Sequence, residues 1–170
     1  MRVAGIDPSL NATGLALADG STVTLKQKPA DGDYRLVKIR TSVWADVIDG
    51  HKHDLVVMED LPKNAMGAGI TGQVQGVIRE LLQDHGVPYL LVSAATLKKA
   101  ATDNGRADKA QMRQAWLEYS GIDNSHDDEV DAEWLRIIGR YMVGDIDAPG
   151  PHWPGAVVKL WPAFNKLAVC

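Results

Sequence analysis

With 170 residues, 45% of them hydrophobic and 24% charged, the chain has the make-up of one folded domain with a substantial core, and disorder is not indicated. No apolar run approaches the roughly 20 residues of a membrane-spanning helix, and the first residues lack the layout of a secretion signal, so a cytoplasmic protein with no membrane contact is expected. The net charge of −4 argues against a general nucleic-acid binder, and the single cysteine, Cys170, excludes an intrachain disulfide and argues against a cysteine-held zinc.

Residues 2–7, 14–18 and 21–28 read as three strands, with Asp19-Gly20 as a two-residue hairpin signal between the last two. Leu36, Ile39, Val43 and Val47 recur at helical spacing and predict a helix over 34–49. His51 and His53 follow as loop residues without ligand spacing, and no role is assigned to either. Leu55-Val56-Val57-Met58-Glu59 is a fourth strand, and residues 63–69 are small and glycine-rich, which predicts a mobile loop. A helix over 70–85 carries Val74, Val77, Ile78, Leu81 and Leu82, with Gly72 and Gly76 four apart. Residues 88–92 form a fifth strand, residues 93–100 a short helix and loop, and residues 109–119 a further helix. The last long helix spans 127–143, with Ser125 as its N-cap. Residues 1–144 then make one α/β domain, a mixed five-stranded sheet with helices on both faces. Residues 145–170, with four prolines and the aromatics Trp153, Trp161 and Phe164, are too apolar for a free linker and too broken for a helix. That tail is expected to pack on the body or on a partner.

Two of the strands end on a carboxylate. Asp7 closes Val3-Ala4-Gly5-Ile6 and Glu59 closes the fourth strand, both at places where a charge is unfavourable without a compensating cation. For Asp7 alone, capping the turn Asp7-Pro8-Ser9 is a sufficient explanation. The sequence Asp127-Asp128-Glu129-Val130-Asp131-Ala132 changes the balance. Acids in a first helical turn suit the helix dipole, but Asp131 lies one turn in, between apolar neighbours, and shares a face with Asp128 or, four residues back, with Asp127. If Asp7, Glu59, Asp128 and Asp131 converge, their like charges need divalent cations, and an all-oxygen set suits Mg²⁺ or Mn²⁺ far better than zinc. Two such ions roughly 4 Å apart stabilise the attacking and leaving oxygens in phosphodiester hydrolysis. Lys98, Lys99, Arg106, Lys109 and Arg113 form a basic cluster, broken by Asp103 and Asp108. It reads either as a solvated face or as a phosphate-contacting one.

These motifs resemble the RuvC family of Holliday junction resolvases, in the RNase H-like superfamily. Gly5-Ile6-Asp7-Pro8-Ser9 with Thr13-Gly14 is similar to the family's first-strand motif, and Val57-Met58-Glu59 to its fourth-strand glutamate. Leu97-Lys98-Lys99-Ala100 and the stretch from Gly105 to Met112 are similar to its DNA-contacting segment, and Asp128-Glu129-Val130-Asp131-Ala132 to its closing acidic motif. The resemblance covers residues 2–143 in order and implies an RNase H-like fold. It implies that Asp7, Glu59, Asp128 and Asp131 hold two Mg²⁺ ions, with Mn²⁺ able to substitute, and that Lys98 and Lys109 meet phosphates. Lys109 is the stronger candidate to reach the scissile phosphate. A homodimer that nicks opposed strands of a four-way junction and leaves 5′-phosphates is also implied, with the helix bearing Gly72 and Gly76 in the dimer contact. Close packing within the monomer is the competing use of those glycines.

Two departures stand out. After the glutamate, where cellular members of the family carry an aromatic residue, this chain has Asp60-Leu61-Pro62-Lys63-Asn64 and later Met66. That implies relaxed cleavage of branched DNA. The proline- and tryptophan-rich tail is the second departure, and the short, divergent form resembles the phage-encoded branch. Rival readings are a sugar-kinase or actin-like phosphate site, a branched-DNA binding module without catalysis, and a nuclease acting on RNA–DNA hybrid. The first of these needs a second domain that this length leaves no room for, and it leaves the Asp128/Asp131 pair unexplained. His126 is read as a solvent-exposed loop residue. Trp116, Tyr119 and Trp134 are read as core packing rather than base stacking.

Overall fold

The computed structural model describes residues 1–49, 53–61 and 68–167. His51, most of the glycine-rich stretch at 63–69, Met66 and Cys170 lie outside the described residues. The sheet has five strands in the order β3-β2-β1-β4-β5. They are β1 (Val3–Asp7), β2 (Ala12–Ala16), β3 (Thr22–Lys26), β4 (Leu55–Glu59) and β5 (Tyr89–Val92). β1, β2 and β3 pair antiparallel, while β4 lies parallel to β1 and β5 parallel to β4. This is the mixed five-stranded sheet expected from the hydrophobic runs.

Residues alternate between the two faces of each strand, and the alternation divides the core. Ala4, Ile6, Val56 and Met58 pack into a layer with α1 (Tyr34–Val43) and α2 (Ala68–Asp84). Val3, Leu55 and Val57 face the other layer, which contains α3 (Ala94–Thr102), α4 (Lys109–Ser120) and α5 (Asp127–Met142). Asp7 and Glu59 continue the Val3/Gly5 and Leu55/Val57 alternation, so both carboxylates point toward the α5 layer. In parallel register Gly5 pairs with Val57 and Ile6 with Met58. Asp7 and Glu59 are therefore the next step of adjacent strands.

Several local expectations are corrected. The hairpin between β2 and β3 has three residues, not two: Leu17 N–H donates to Ser21 O at 2.9 Å, and Gly20 takes φ +88° to close it. Past Val43 the helix predicted over 34–49 widens into a π-helical turn, Trp44–Asp49. The N-cap of α5 is His126, whose side chain makes no capping bond, rather than Ser125. Residues in the tail are helical after all, in α6 (Trp153–Val157), a 3₁₀ turn (Val158–Leu160) and α7 (Trp161–Phe164), and α6 and α7 each carry Pro at N1 or N2, where its missing N–H is tolerated. Trp153 is buried in the α5 layer, its ring 6.1 Å from that of Trp134. Trp116 and Trp134 are core residues, 4% and 2% exposed, while Tyr119 sits at the rim of the same cluster at 42%.

His53 is not a plain loop residue. It is buried, its Nε2 accepts from Ala18 N–H at 3.0 Å, and its Nδ1 stands 2.9 Å from Val47 O. Accepting at Nε2 requires the proton on Nδ1, so the neutral ring bridges the β2–β3 turn to the end of the α1 segment.

Candidate active site

The site is built by seating α5 directly on the sheet. A Cβ at Gly14 on β2 would overlap the backbone of Asp128, and a Cβ at Gly5 on β1 would overlap the carbonyl of Ala132. Farther along, a Cβ at Gly139 would stand 2.6 Å from both Val3 Cγ1 and Val57 Cγ2. Glycines on both sides of this contact let the helix axis approach the strands, which sets Asp128 and Asp131 beside the ends of β1 and β4. Thr13, fully buried, ties the turn after Asp7: its hydroxyl donates to Ser9 O at 2.6 Å and accepts from Ser9 N–H at 3.2 Å. In the Thr13-Gly14 pair one residue fixes the loop that follows the first carboxylate, and the other makes room for the helix that carries the last two.

Glu59 is held from the opposite face. Buried Gln75 of α2 donates its side-chain amide to Glu59 O at 3.0 Å, and Asp60 N–H donates to Val92 O at 2.8 Å. Nothing in the 70–85 helical pattern distinguished Gln75 from its polar neighbours. Glu129, the acid between Asp128 and Asp131, points elsewhere. Its carboxylate accepts from Thr22 and Thr24 hydroxyls at 2.6 and 2.7 Å and from Asn124 at 3.1 Å, so it fastens the start of α5 to β3.

The carboxylates of β1, β4 and α5 act on one another. Burial first, then the charges of Glu59, Asp131 and Asp128, push the Asp7 carboxyl well above the usual carboxylate range. Burial and the neighbouring Asp131 push Glu59 up to about 7. Asp131 is raised to about 6, chiefly by burial, with Lys98 acting in the opposite direction. Asp128, nearer the mouth, is raised by burial and lowered by Lys109. Each of these side chains keeps an edge toward solvent. They line one opening rather than closing on a point, and no three His, Cys, Asp or Glu among the described residues form a ready metal cage. Their donor chemistry nonetheless fits a divalent cation: only oxygens, several carboxylates, and proton affinities raised by burial first and then by mutual repulsion, which a cation would relieve.

The lysines approach this opening from two sides. Lys98 on α3 acts on Glu59 and Asp131, and Lys109 at the start of α4 acts on Asp7, Asp128 and Asp131. Asp108 caps α4 through a reciprocal box with Gln111, which fixes where Lys109 emerges. Lys109 Nζ also lies 2.9 Å from Asp127 Oδ2, and Arg113 NH1 lies 3.2 Å from Asp127 Oδ1. Of the two residues open as partner to Asp131, Asp127 is thus paired with cations on α4, while Asp128 acts on Asp7. Lys99 turns away and pairs with Asp103 at the end of its own helix, at 2.5 Å. Arg106 is exposed on the loop before α4.

A sequence model of the family "Crossover junction endodeoxyribonuclease RuvC" matches residues 3–124. Proteins of that name from Gloeobacter violaceus and Paraburkholderia phymatum are 28% and 30% identical to the chain, over 97% and 94% of both sequences. The structure of Thermus thermophilus RuvC in complex with Holliday junction substrate superposes with a TM-score of 0.68 at 21% identity, covering 81% of this chain and 91% of that one. Its likeness establishes the fold, and with the family match over more than two thirds of the sequence the conclusion is direct. This chain belongs to the RuvC family of crossover junction endodeoxyribonucleases.

Proposed function

We propose that the chain is a metal-dependent, homodimeric endonuclease that resolves four-way or other branched DNA by hydrolysing phosphodiesters, leaving 5′-phosphates. The observation that carries this reading is the meeting of Asp7, Glu59, Asp128 and Asp131 in one half-buried opening flanked by Lys98 and Lys109. Asp7, Glu59, Asp128 and Asp131 would hold two Mg²⁺ ions, or Mn²⁺ in their place. When bound, such ions supply an activated water and charge compensation for the departing 3′ oxygen.

The chain's own residues do the rest. Water attacks phosphorus as the P–O3′ bond breaks, and negative charge gathers on the phosphoryl oxygens. Lys98 and Lys109 stand on two sides of the opening where that charge develops, and fixed cations are most effective there. Lys98, Lys109, Arg113 and Arg106 provide the phosphate-contacting surface, and the Lys99–Asp103 pair makes Lys99 the weakest contributor. A net charge of −4 does not oppose this, because bound cations offset the acidic cluster locally.

The dimer is supported by α2. Among the described residues, a Cβ at Gly76 would meet nothing within 4 Å, and one at Gly72 would meet only Leu61 at 3.6 Å. Packing among the described residues of the monomer therefore does not require either glycine. Gly76→Arg is expected to leave the monomer folded and to shift the protein from dimer to monomer in sedimentation equilibrium. A dimer that persists unchanged would place the contact on another face.

The function is tested with labelled four-way junction, replication fork, linear duplex and RNA–DNA hybrid, each with Mg²⁺ and with EDTA. Paired, metal-dependent nicks in the junction are expected. Preferential cutting of the hybrid would overturn the substrate, and tight junction binding without cuts would overturn the catalysis.

A further inference from the structure

We infer that Asp127 is a positioning residue that holds the Lys109 ammonium at the mouth of the carboxylate cluster, with Arg113 as the second half of the clamp; the inference rests on the nuclease reading above. Lys109 and Arg113 are four apart on α4 and so share one face. Asp127 opens α5 opposite them and gives one carboxylate oxygen to each, at 2.9 and 3.2 Å.

The Lys109 side chain is 75% exposed, so packing does not fix its four-carbon stem, whereas the Asp127 carboxylate does. Asp127 Oδ1 is shut off from solvent and takes no aligned hydrogen bond, which leaves the Arg113 charge to balance it. The ion pairs stand at the edge of the cluster, and Lys109 acts from there on Asp7, Asp128 and Asp131. An ammonium has three donors. With one committed to Asp127, the others are left to meet a phosphate oxygen in a direction already set.

With its Lys109 end exposed, the Lys109–Asp127 pair adds little stability, so the value of this arrangement lies in orientation. Without the Asp127 charge, Lys109 swings out of the mouth and joins the general phosphate contacts. A carboxylate that places a lysine therefore trades some non-specific DNA affinity for alignment at the reacting group.

The test uses Asp127→Asn, Lys109→Ala and the double variant of the full chain with a labelled four-way junction. Without divalent metal, Asp127→Asn should steepen the slope of log affinity against log salt by about one, the mark of one further phosphate contact. With Mg²⁺ and saturating junction, its single-turnover cleavage should fall roughly ten-fold or more. Both changes should vanish when Lys109→Ala is already present. Effects that add to those of Lys109→Ala would overturn the inference. So would a total loss like that of Asp7→Asn, which would make Asp127 a metal ligand, or a lower Tm with slope and rate unchanged, which would make it a tie between helices. If the unaltered protein cuts no branched DNA while the slope still responds through Lys109, the positioning stands and the nuclease reading fails.

Discussion

Asp7→Asn should lower junction cleavage by roughly a thousand-fold or more, about 4 kcal/mol in the barrier, while the metal-free protein becomes more stable. The two effects have one cause. Burial and the Glu59, Asp131 and Asp128 charges hold the Asp7 carboxyl far above its ordinary range, so its ionised form opposes folding. An amide of nearly the same shape removes that repulsion and also removes the metal ligand proposed above. A gain of about 1–2 kcal/mol, or roughly 3–6 °C in Tm, is the scale for one buried charge in a chain of this size.

The pH dependence follows with a definite sign. A carboxyl whose folded pKa lies above the unfolded value binds more protons in the folded state, so stability falls as pH rises between the two values. For Glu59 and Asp131 that window opens near 4, the ordinary carboxylate range, and closes at about 7 and about 6. In EDTA the unaltered protein should therefore lose Tm between pH 5 and pH 7.5. Asp7→Asn should flatten part of that loss, and Mg²⁺ should reverse it by binding the ionised cluster. Thermal unfolding at these two pH values, with EDTA and with Mg²⁺, measures all three. A Tm that rose with pH in EDTA would mean that the carboxylates are already compensated by protein cations.

The carboxylates were legible in the sequence because each sits where a strand or helix pattern would otherwise be apolar. Asp7 and Glu59 end hydrophobic runs of the same alternation, and Asp131 interrupts the buried stripe of α5. Their convergence rests on β1 and β4 being parallel neighbours, which single-strand periodicity cannot supply. The partners of the second rank were hidden for a similar reason. Glu129 and Asp127 differ from Asp128 only in which way a helix turn points them, and that depends on how α5 lies across the sheet. Thr22, Thr24 and Asn124, which claim Glu129, are remote in sequence and chemically ordinary. The role of His53 is not visible in the sequence because loop position and burial are independent, and its two partners lie on different elements. The helices of the tail are hidden in the sequence by prolines, which break a helix interior, whereas at N1 or N2 of short helices they break nothing.

Gly14→Ala should be, with Gly5→Ala, among the most damaging conservative changes at the described residues. Gly14 lies in the middle of β2, paired with Asp7 on one side and Thr24 on the other, with no left-handed backbone to require glycine. What requires it is space, because the added methyl would fall on the Asp128 backbone. A clash with a flexible side chain is relieved by a rotamer, but one with a helix backbone is relieved only by moving the helix. Lifting α5 by even an ångström would separate Asp128 from Asp7 and loosen the seat of Ala132 on Gly5. Overpacking of this kind costs about 3 kcal/mol or more in stability. A one-ångström misplacement of reacting groups costs on the order of a hundred-fold in rate. Gly155→Ala serves as the control: a Cβ there meets nothing within 4 Å among the described residues, and removing a glycine from α6 should leave stability unchanged or raise it by up to about 1 kcal/mol. Urea unfolding and single-turnover cleavage of the two variants would separate these outcomes. A Gly14→Ala protein with unaltered stability and rate would show that α5 does not rest on β2 at Asp128, and the proposed carboxylate cluster would lose its geometric basis.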